Sequence, residues 1–447
     1  MEIPISRRPV SRRSVLGVAA AVPLSAALTA CGSSGPTKDG ANGKAGATYW
    51  YLSGQPDEGV RADAVKAFNK AHPKSQIAGT SFQNDAFKTK IKTAIGAGKA
   101  PTIIKSWGGG TLRSYVEAGQ VEDLTPWLDK HPEVKEKIFP TAFPAATVKG
   151  KIYAMPVERV QPIFLYYNKK VFDKVGVKPP QSWDDIMALV PKFNAEGIAP
   201  FSLGGQSRWT NMMWLEFLFD RIGGPEVFQA IFDGEKNAWS SPAAIEALGM
   251  VQDLVKAKGF IKGFSSITAD SNADQALLYT GKAAMMLHGS WSYGIQKNDG
   301  GDFVSSGGLG YMNFPPVKGG KGDPSNTVGN PGEYLSISSK AGAKEKKIAE
   351  EFFAKGMLQD AEVKAWIDGG GVPVKLGTEK LLAASKDSDF LQFTYDIATK
   401  AKSFSQSWDQ ALSPTAAEML LDNIVKLFQL SISPRQFAAN LNEVIGK

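Results

Sequence analysis

The chain has few of the residues that most often build reactive or metal centres. Its 447 residues include one cysteine, Cys31, and three histidines, of which His72 and His131 directly precede prolines. A single cysteine excludes an internal disulfide, a Cys-x-x-Cys pair and a four-cysteine zinc site. Three scattered histidines also argue against a histidine-rich metal site. We therefore expect no bound metal.

The motifs that bind phosphates or dinucleotides are also missing. Lys99 follows a glycine, but Ala100 stands where a phosphate-binding loop has serine or threonine. No G-x-G-x-x-G pattern follows the first predicted strand. We therefore expect no cofactor and no catalytic group.

A strong charge imbalance is absent from the chain. The net charge is +7, and removal of residues 1–30, with four arginines and one glutamate, leaves +4. Lysines alternate with acidic residues, as in 343–347, and no basic stripe carries interleaved aromatics. These features exclude nucleic acid as an expected partner. Hydrophobic residues make up 43% of the chain, which is typical of a globular protein and leaves room for about two to four domains.

Residues 1–30 have the features of an export signal. Four arginines precede an uncharged stretch, 14–30, which is too short to span a bilayer comfortably. Residues 28–31, Leu-Thr-Ala-Cys, resemble a bacterial lipobox, and 11–16 resemble a twin-arginine export motif. The resemblance implies cleavage before Cys31 and lipidation of its thiol. The alternative is a plain secretory signal with an incidental cysteine.

Strands and helices alternate after a small, polar, glycine-rich tether, 31–47. Residues 48–52, 75–82 and 102–107 favour strands, and apolar residues recur at helical spacing between them. This βαβαβ order predicts an open, mostly parallel sheet, which binds ligands beyond the carboxyl ends of its strands. The side chains expected at these ends are Gln55, Asp57, Asn84, Asp85 and Trp107. Helix capping is an equal alternative for Asp85, and Asp57 is also placed to cap a helix.

An ordered set of segments carries a family resemblance over essentially all of 48–447. The segments are 150–169 (GKIYAMPVERVQPIFLYYNK), 281–291, 314–316, 336–353 and 369–373. Together they closely resemble maltose-binding protein and its relatives, the extracellular solute-binding protein family 1 of ABC transporters. The resemblance implies a two-lobe α/β periplasmic-binding-protein fold with a hinge and several interdomain crossings. It implies a first lobe of 48–157 with 317–372 and a second lobe of 158–316 with 373–447.

The same resemblance implies a function. The protein is expected to be the lipid-anchored, monomeric binding component of a carbohydrate importer on the outer face of the cell membrane. It would capture a neutral di- or trisaccharide, such as a xylo-, cello-, malto- or chito-oligosaccharide, in the interlobe cleft. It would then deliver the sugar to two membrane permease subunits, which a separate ATPase chain serves.

Tryptophans in loops or at strand ends are the first candidates for contact with a sugar. An indole ring offers a large apolar face to the C–H face of a pyranose, while polar groups bind its hydroxyls. The candidates are Trp291, which matches the stacking tryptophan of the family, and Trp107, Trp209 and Trp408. We expect core positions for Trp50, Trp183, Trp214 and Trp366. Packing in the core is the alternative for each candidate.

Two carboxylates complete the predicted site. Glu158 falls at the first crossing, and Glu333 precedes a predicted strand that faces the cleft. The adjacent pair Asp184 and Asp185 follows Ser182 in a capping-box pattern, which predicts a helix start instead.

A secreted glycoside hydrolase and a cell-surface adhesion lipoprotein are the rival interpretations. A hydrolase needs two carboxyl groups flanking the scissile bond, and no motif identifies such a pair. Adhesins tend toward repeats or β-sandwiches, and the sequence has neither pattern. We therefore predict that the protein is not an enzyme.

Overall fold

The computed structural model describes residues 46–446, which all belong to one compact unit. The predicted signal peptide, Cys31 and nearly all of the predicted tether lie outside these residues. Among residues 46–446, no helix combines the length and the apolar character needed to cross a bilayer.

The strands of the described residues are mostly short, and the two longest lie in the middle of the chain. They are β1 (Ala47–Leu52), β2 (Ile77–Phe82), β3 (Ile103–Ser106), β4 (Thr147–Val148), β5 (Lys151–Ile152), β6 (Met155–Val157), β7 (Gln161–Asn168), β8 (Ala199–Ser202), β9 (Ala283–Gly289), β10 (Leu309–Met312), β11 (Thr327–Asn330), β12 (Glu333–Ile337) and β13 (Phe404–Gln406). The longest, β7 and β9, pair with each other in antiparallel register.

The helices surround the sheets and carry the apolar faces that cover them. They are α1 (Asp57–Ala71), α2 (Asn84–Gly96), α3 (Gly109–Glu117), α4 (Thr125–Leu128), α5 (Pro132–Glu136), α6 (Lys169–Val175), α7 (Trp183–Ala195), α8 (Trp209–Gly223), α9 (Glu226–Phe232), α10 (Pro242–Lys256), α11 (Ala273–Tyr279), α12 (Ser292–Asp299), α13 (Ala343–Lys355), α14 (Asp360–Asp368), α15 (Glu379–Ala383), α16 (Ser388–Lys400), α17 (Trp408–Ala411), α18 (Pro414–Phe428) and α19 (Pro434–Asn442). Short 3₁₀ turns lie at Pro140–Ala142, Pro144–Ala146, Ala238–Ser240 and Phe264–Ser266.

The first sheet has the strand order β2-β1-β3-β12-β6. Strand β1 pairs in parallel with β2 and β3, so the predicted βαβαβ unit is confirmed. Strand β12 returns antiparallel to both β3 and β6. Phe87 and Ile91 of α2 are buried against this sheet, as their helical spacing predicts.

The second sheet has the order β13-β11-β7-β9-β8, and β10 also pairs with β7. Every residue of β9 is buried, which explains its run of apolar residues rather than an alternating pattern. Helix α8 is likewise buried almost all round, and Trp214 in its middle is fully enclosed.

Each sheet has its own large hydrophobic core, and the chain passes between the cores several times. Strand β11 lies in the second sheet, although the expected division assigned 317–372 to the first lobe. Its Val328 packs in the second core. Conversely, Val374 and Leu382 pack in the first core, although 373–447 was expected in the second lobe. The residues at which the chain passes from one sheet and core to the other therefore differ from those expected from the sequence.

Two helix starts test the capping predictions. The side-chain oxygen of Ser182 accepts a hydrogen bond from the backbone N–H of Asp185 at 3.1 Å, so the predicted start of α7 is confirmed. The capping role of Asp57 is wrong, because Asp57 is the first residue of α1 itself and its carboxylate instead pairs with Arg159.

Candidate functional site

A cavity of about 260 Å³ lies where the ends of the two sheets face each other. One wall comes from the segment after β1, the start of α2 and the end of β3. The opposite wall comes from the start of α8, the end of β9 and the loop before α11. We call this space the first cavity. Its position beyond the strand ends agrees with the rule for open parallel sheets.

Most of the predicted site residues meet at this cavity. Those that line it are Gln55, Asp57, Asn84, Trp107, Trp209, Trp291 and Glu333. They come from six separate places in the sequence, and the fold of both sheets brings them together.

Three predicted residues do not line the first cavity. Trp408 is 1% exposed, and its ring stacks on Phe228 with centroids 4.6 Å apart inside the second core. Glu158 is buried and turned toward Arg61. Asp85 lies just outside, where its backbone N–H donates to Asp270 Oδ2 at 3.0 Å. The tryptophans predicted for the core, Trp50, Trp183, Trp214 and Trp366, are all buried, so that prediction is confirmed.

Two tryptophans form the apolar wall on the side of the second sheet. The ring centroids of Trp209 and Trp291 are 6.1 Å apart. Both rings pack edge-to-face on the buried imidazole of His288, at 5.5 and 5.3 Å. Because aromatic pairs prefer such tilted arrangements, His288 fixes both indoles from behind. Asp274 Oδ2 lies 3.5 Å from Nε2 of this histidine.

Trp107 forms the facing wall on the side of the first sheet. The ammonium of Lys105 lies 3.5 Å from its ring centroid, and that of Lys88 lies 5.1 Å away. A cation over an indole face is attracted by the negative face of the ring. Only 8% of Trp107 is exposed, so the cavity meets a limited part of its ring.

A buried ion pair between Glu333, which lines the first cavity, and Lys105 lies behind its wall. Lys105 Nζ lies 2.5 Å from Glu333 Oε2, and Gln161 Nε2 donates to Glu333 Oε1 at 3.1 Å. Burial lowers the pKa of Lys105 to about 8, although the neighbouring Glu333 opposes this effect. Lys105 and Arg61 outweigh the effect of burial on Glu333 and hold its pKa below the usual range.

Several polar atoms at the cavity wall have no hydrogen-bond partner within residues 46–446. They include Asp57 Oδ1, Arg159 Nε, Trp209 Nε1, Asn330 Oδ1 and both ring nitrogens of His288. Unpartnered buried polar groups are rare because each one loses its bonds to water. These atoms can therefore accept from or donate to the hydroxyl groups of a ligand.

Direct bonds across the cleft hold the two walls together. Lys88 Nζ on α2 lies 3.0 Å from Asp409 Oδ2 on α17, and Gln406 Nε2 donates to the backbone oxygen of Trp107 at 2.6 Å. The two walls therefore touch each other, and the cleft between the two sheets is closed in this structure.

Sequence reasoning missed Lys88, Arg159, Asp270 and His288. None of them stands in a local pattern that marks a site, and only Arg159 had a signal in its position beside Glu158. Within residues 46–446, no cluster of three or more histidine, cysteine or acidic side chains is arranged to hold a metal ion.

Comparison with known proteins agrees with this geometry. The family model described as bacterial extracellular solute-binding protein matches residues 53–362. A probable sugar-binding periplasmic protein of Mesorhizobium japonicum is 31% identical over 226 residues, which are 49% of this chain and 52% of that protein. The chain spans between 52% and 62% of the length of three curated relatives, two of them probable sugar-binding periplasmic proteins and one an ABC transporter extracellular-binding protein.

Two solved structures are similar over nearly the whole chain. One, from work on xylan utilization by the thermophilic bacterium Caldanaerobius polysaccharolyticus, is 29% identical with a TM-score of 0.80, covering 90% of this chain and 100% of that one. The other is a chitin oligosaccharide binding protein, 24% identical with a TM-score of 0.79, covering 89% and 97%. These matches confirm the predicted two-lobe fold. The chain belongs to the bacterial extracellular solute-binding protein family, whose members are receptors rather than enzymes, as the sequence predicted.

Proposed function

We propose that the protein is the receptor of a carbohydrate ABC importer and that it captures a neutral oligosaccharide in the first cavity. The observation that carries this proposal is the Trp209–Trp291 wall beside unpartnered polar atoms. A pyranose ring needs both an apolar face and a polar rim, and this cavity offers both. The receptor would deliver its cargo to two permease subunits served by a separate ATPase.

The pairing of charges supports a neutral ligand. Asp57 pairs with Arg159, Glu333 with Lys105 and Asp409 with Lys88. Each of these charged groups already has an opposite charge beside it. A charged ligand would have to break such a pair, whereas hydroxyl groups can bond to it without breaking it.

The names of similar proteins suggest which sugars to test. One similar structure comes from work on xylan utilization, and another is a chitin oligosaccharide binding protein. Xylo-oligosaccharides are the first choice, because that structure is the more similar in sequence. Cello-, malto- and chito-oligosaccharides follow.

The two sheets with their cores are the two lobes in this proposal. Closure needs ligand contacts that differ between open and closed states. Trp107 belongs to one core and Trp209 and Trp291 pack against the other, so a sugar between them would link the lobes.

The position outside the cell membrane is also a proposal. Cleavage before Cys31 and lipidation of its thiol would leave a monomeric receptor on a short tether at the membrane surface. The lipobox-like residues 28–31 and the twin-arginine-like residues 11–16 support this.

A saccharide panel tests the proposal directly. Xylo-, cello-, malto- and chito-oligosaccharides are added separately to the purified protein, and the melting temperature and tryptophan fluorescence are measured. We expect stabilisation by at least one series, with no cleavage products on chromatography. Products would indicate the rival hydrolase. An unchanged melting temperature with all four series would refute the oligosaccharide proposal.

A further inference from the structure

The start of α3, in the first core, is in backbone contact with the end of α17, in the second core. The carbonyl groups of Ala411 and Leu412 lie directly against Gly110, in the first turn of α3. A Cβ atom on Gly110 would overlap the carbonyl oxygen of Leu412 and lie 2.6 Å from that of Ala411. Side-chain carbon atoms do not approach other atoms so closely, so only a glycine fits against α17 at this position.

Gly109 makes a second contact of the same kind. A Cβ atom there would overlap the side-chain oxygen of Gln406 and lie 2.6 Å from the carbonyl oxygen of Gln410. Gly109 has a φ of +62°, which favours glycine in any surroundings. Gly110, in contrast, lies within the helix and is not at positive φ. At position 110, the need for glycine therefore comes from the contact with α17.

Both helices are held firmly by their own cores. The backbone N–H of Trp408 in α17 donates to the buried Glu216 at 2.7 Å, and its ring stacks on Phe228. In α3, Leu112 is fully buried in the first core. Neither helix can therefore move aside on its own, and a side chain at position 110 is accommodated only when the cleft opens.

The contact lies outside the ligand site. Neither Gly109 nor Gly110 lines the first cavity, and Leu412 does not line it either. These residues can affect a ligand in that cavity only through the position of the two lobes. When fewer molecules can adopt the closed form that binds, the apparent dissociation constant rises in inverse proportion to their fraction.

We propose that Gly110, together with Gly109, sets the sugar affinity from outside the ligand site, because closure of the cleft requires a backbone without side chains where α17 meets α3. This inference rests on the proposed function. Gly108 has a different role, since a Cβ atom there would overlap the carbonyl oxygen of Ala145, which packs in the same core as α3. Two of the three glycines that follow β3 thus act on closure and one on the fold of its own lobe.

Gly110→Ala tests the inference by calorimetry and small-angle scattering. The probe is whichever of xylotriose, cellotriose, maltotriose and chitotriose stabilises the wild-type protein most. We expect the dissociation constant to rise by about tenfold or more and the compaction caused by the ligand to be lost. The melting temperature without ligand should not fall, because alanine favours a helix more than glycine does and the three atoms nearest to the new Cβ all belong to Ala411 and Leu412.

Gly249→Ala is the matched control. Gly249 also lies within a helix, α10, and a Cβ atom there would meet no atom within 4 Å. We expect this variant to bind the same trisaccharide with wild-type affinity and to become as compact as the wild-type protein.

Gln406→Ala tests the contact from the side of the second sheet without creating an overlap. Gln406 Nε2 donates to the backbone oxygen of Trp107 at 2.6 Å, and Gln406 does not line the first cavity. Loss of this single hydrogen bond should raise the dissociation constant by about two- to tenfold. Gln359→Ala is the control, because the amide of Gln359 also donates to a backbone oxygen, that of Met357, but within one lobe.

The outcomes separate this inference from the proposed function. Wild-type affinity and compaction in Gly110→Ala would overturn the inference and leave the proposed function standing. An early melting of Gly110→Ala without ligand would also overturn it, since the fold rather than closure would then require the glycine. Unchanged affinity in Gln406→Ala would contradict it independently. If no oligosaccharide of the four series binds the wild-type protein, the proposed function and this inference are both wrong.

Discussion

Lys88 Nζ and Asp409 Oδ2 lie 3.0 Å apart, and this ion pair joins a helix of the first core to a helix of the second across the cleft. About a quarter of the Lys88 side chain is exposed, whereas Asp409 is largely buried. The pair therefore forms when the cleft is closed, and ions in solution can partly screen it.

Lys88→Met should weaken sugar binding by about 1.4- to 5-fold, because a partly exposed ion pair contributes about 0.2–1 kcal/mol. Raising the salt concentration should weaken binding in the wild-type protein and much less in the variant, since salt screens the pair. Calorimetry at low and high salt measures both effects. Lys66→Met, at an exposed position on α1, is the control. The same salt dependence in variant and wild type would contradict a role of this pair in closure.

Glu158→Gln should destabilise the fold by about 3 kcal/mol, because it removes the nearest opposite charge of the buried Arg61 and leaves only the longer contact of 3.7 Å to Asp57 Oδ2. Arg61 Nε and Nη2 lie 2.8 and 2.7 Å from the two carboxylate oxygens of Glu158. Urea unfolding followed by tryptophan fluorescence gives the free energy of unfolding. Glu246→Gln, at an exposed position on α10, should change it little. Similar unfolding midpoints for the two variants would show that the buried pair is not needed.

Trp291→Ala should weaken sugar binding by about 1–3 kcal/mol through loss of stacked aromatic surface. It should also reduce the compaction that the ligand causes in small-angle scattering. Trp127→Ala is the control, since Trp127 is half-buried in the first core and does not line the first cavity. A Trp291 variant that melts early but binds with unchanged affinity would refute the stacking role.

Glu216→Gln should flatten the pH dependence of stability between about pH 4.5 and 8. Burial raises the pKa of Glu216 to about 8, although the backbone N–H of Trp408 donates to its carboxylate at 2.7 Å. The folded state therefore binds a proton that the unfolded state has released.

The stabilisation from this proton is complete below about pH 4.5 and is lost as the pH rises through about 8. Each pH unit between the two pKa values corresponds to about 1.4 kcal/mol. Urea unfolding across this range measures the slope. Glu196→Gln, at an exposed position after α7, should keep the wild-type slope. A wild-type slope in the Glu216 variant would refute the raised pKa.

Cys31→Ala should release the protein from the membrane without changing its thermal stability. The expectation rests on the lipobox-like residues 28–31, which lie outside the described residues. Fractionation after a high-salt wash measures the membrane-bound share, and Ser33→Ala serves as the control. A Cys31 variant that stays membrane-bound after the wash would contradict the lipid anchor.

Secondary structure followed closely from local sequence. The βαβαβ unit at the start of the fold is evident in the sequence, because the spacing of apolar residues changes between strands and helices. The capping-box pattern likewise placed Ser182 correctly at the start of α7. The limits of the lobes did not follow. Strand β11 joins the second sheet because its partners are β7 and β13, which are distant in the chain.

The site shows the same division between local and distant information. Trp209 and Trp408 both stand in short polar segments, 206–211 and 405–409, which look alike in sequence. Trp209 lines the cleft, whereas Trp408 stacks on Phe228 in the core. The difference comes from α9, which covers the indole of Trp408 with Phe228 and does not cover that of Trp209.

The sequence by itself determined the alternation of strands and helices, the family resemblance and the residue types that a sugar site needs. These features depend on side-chain chemistry and on spacing along a few turns or strand residues. Only the tertiary structure decided that Lys105 pairs with Glu333 and that His288 supports two indoles. Each of these depends on side chains far apart in sequence, and their distances are set by how the sheets pack rather than by any local pattern.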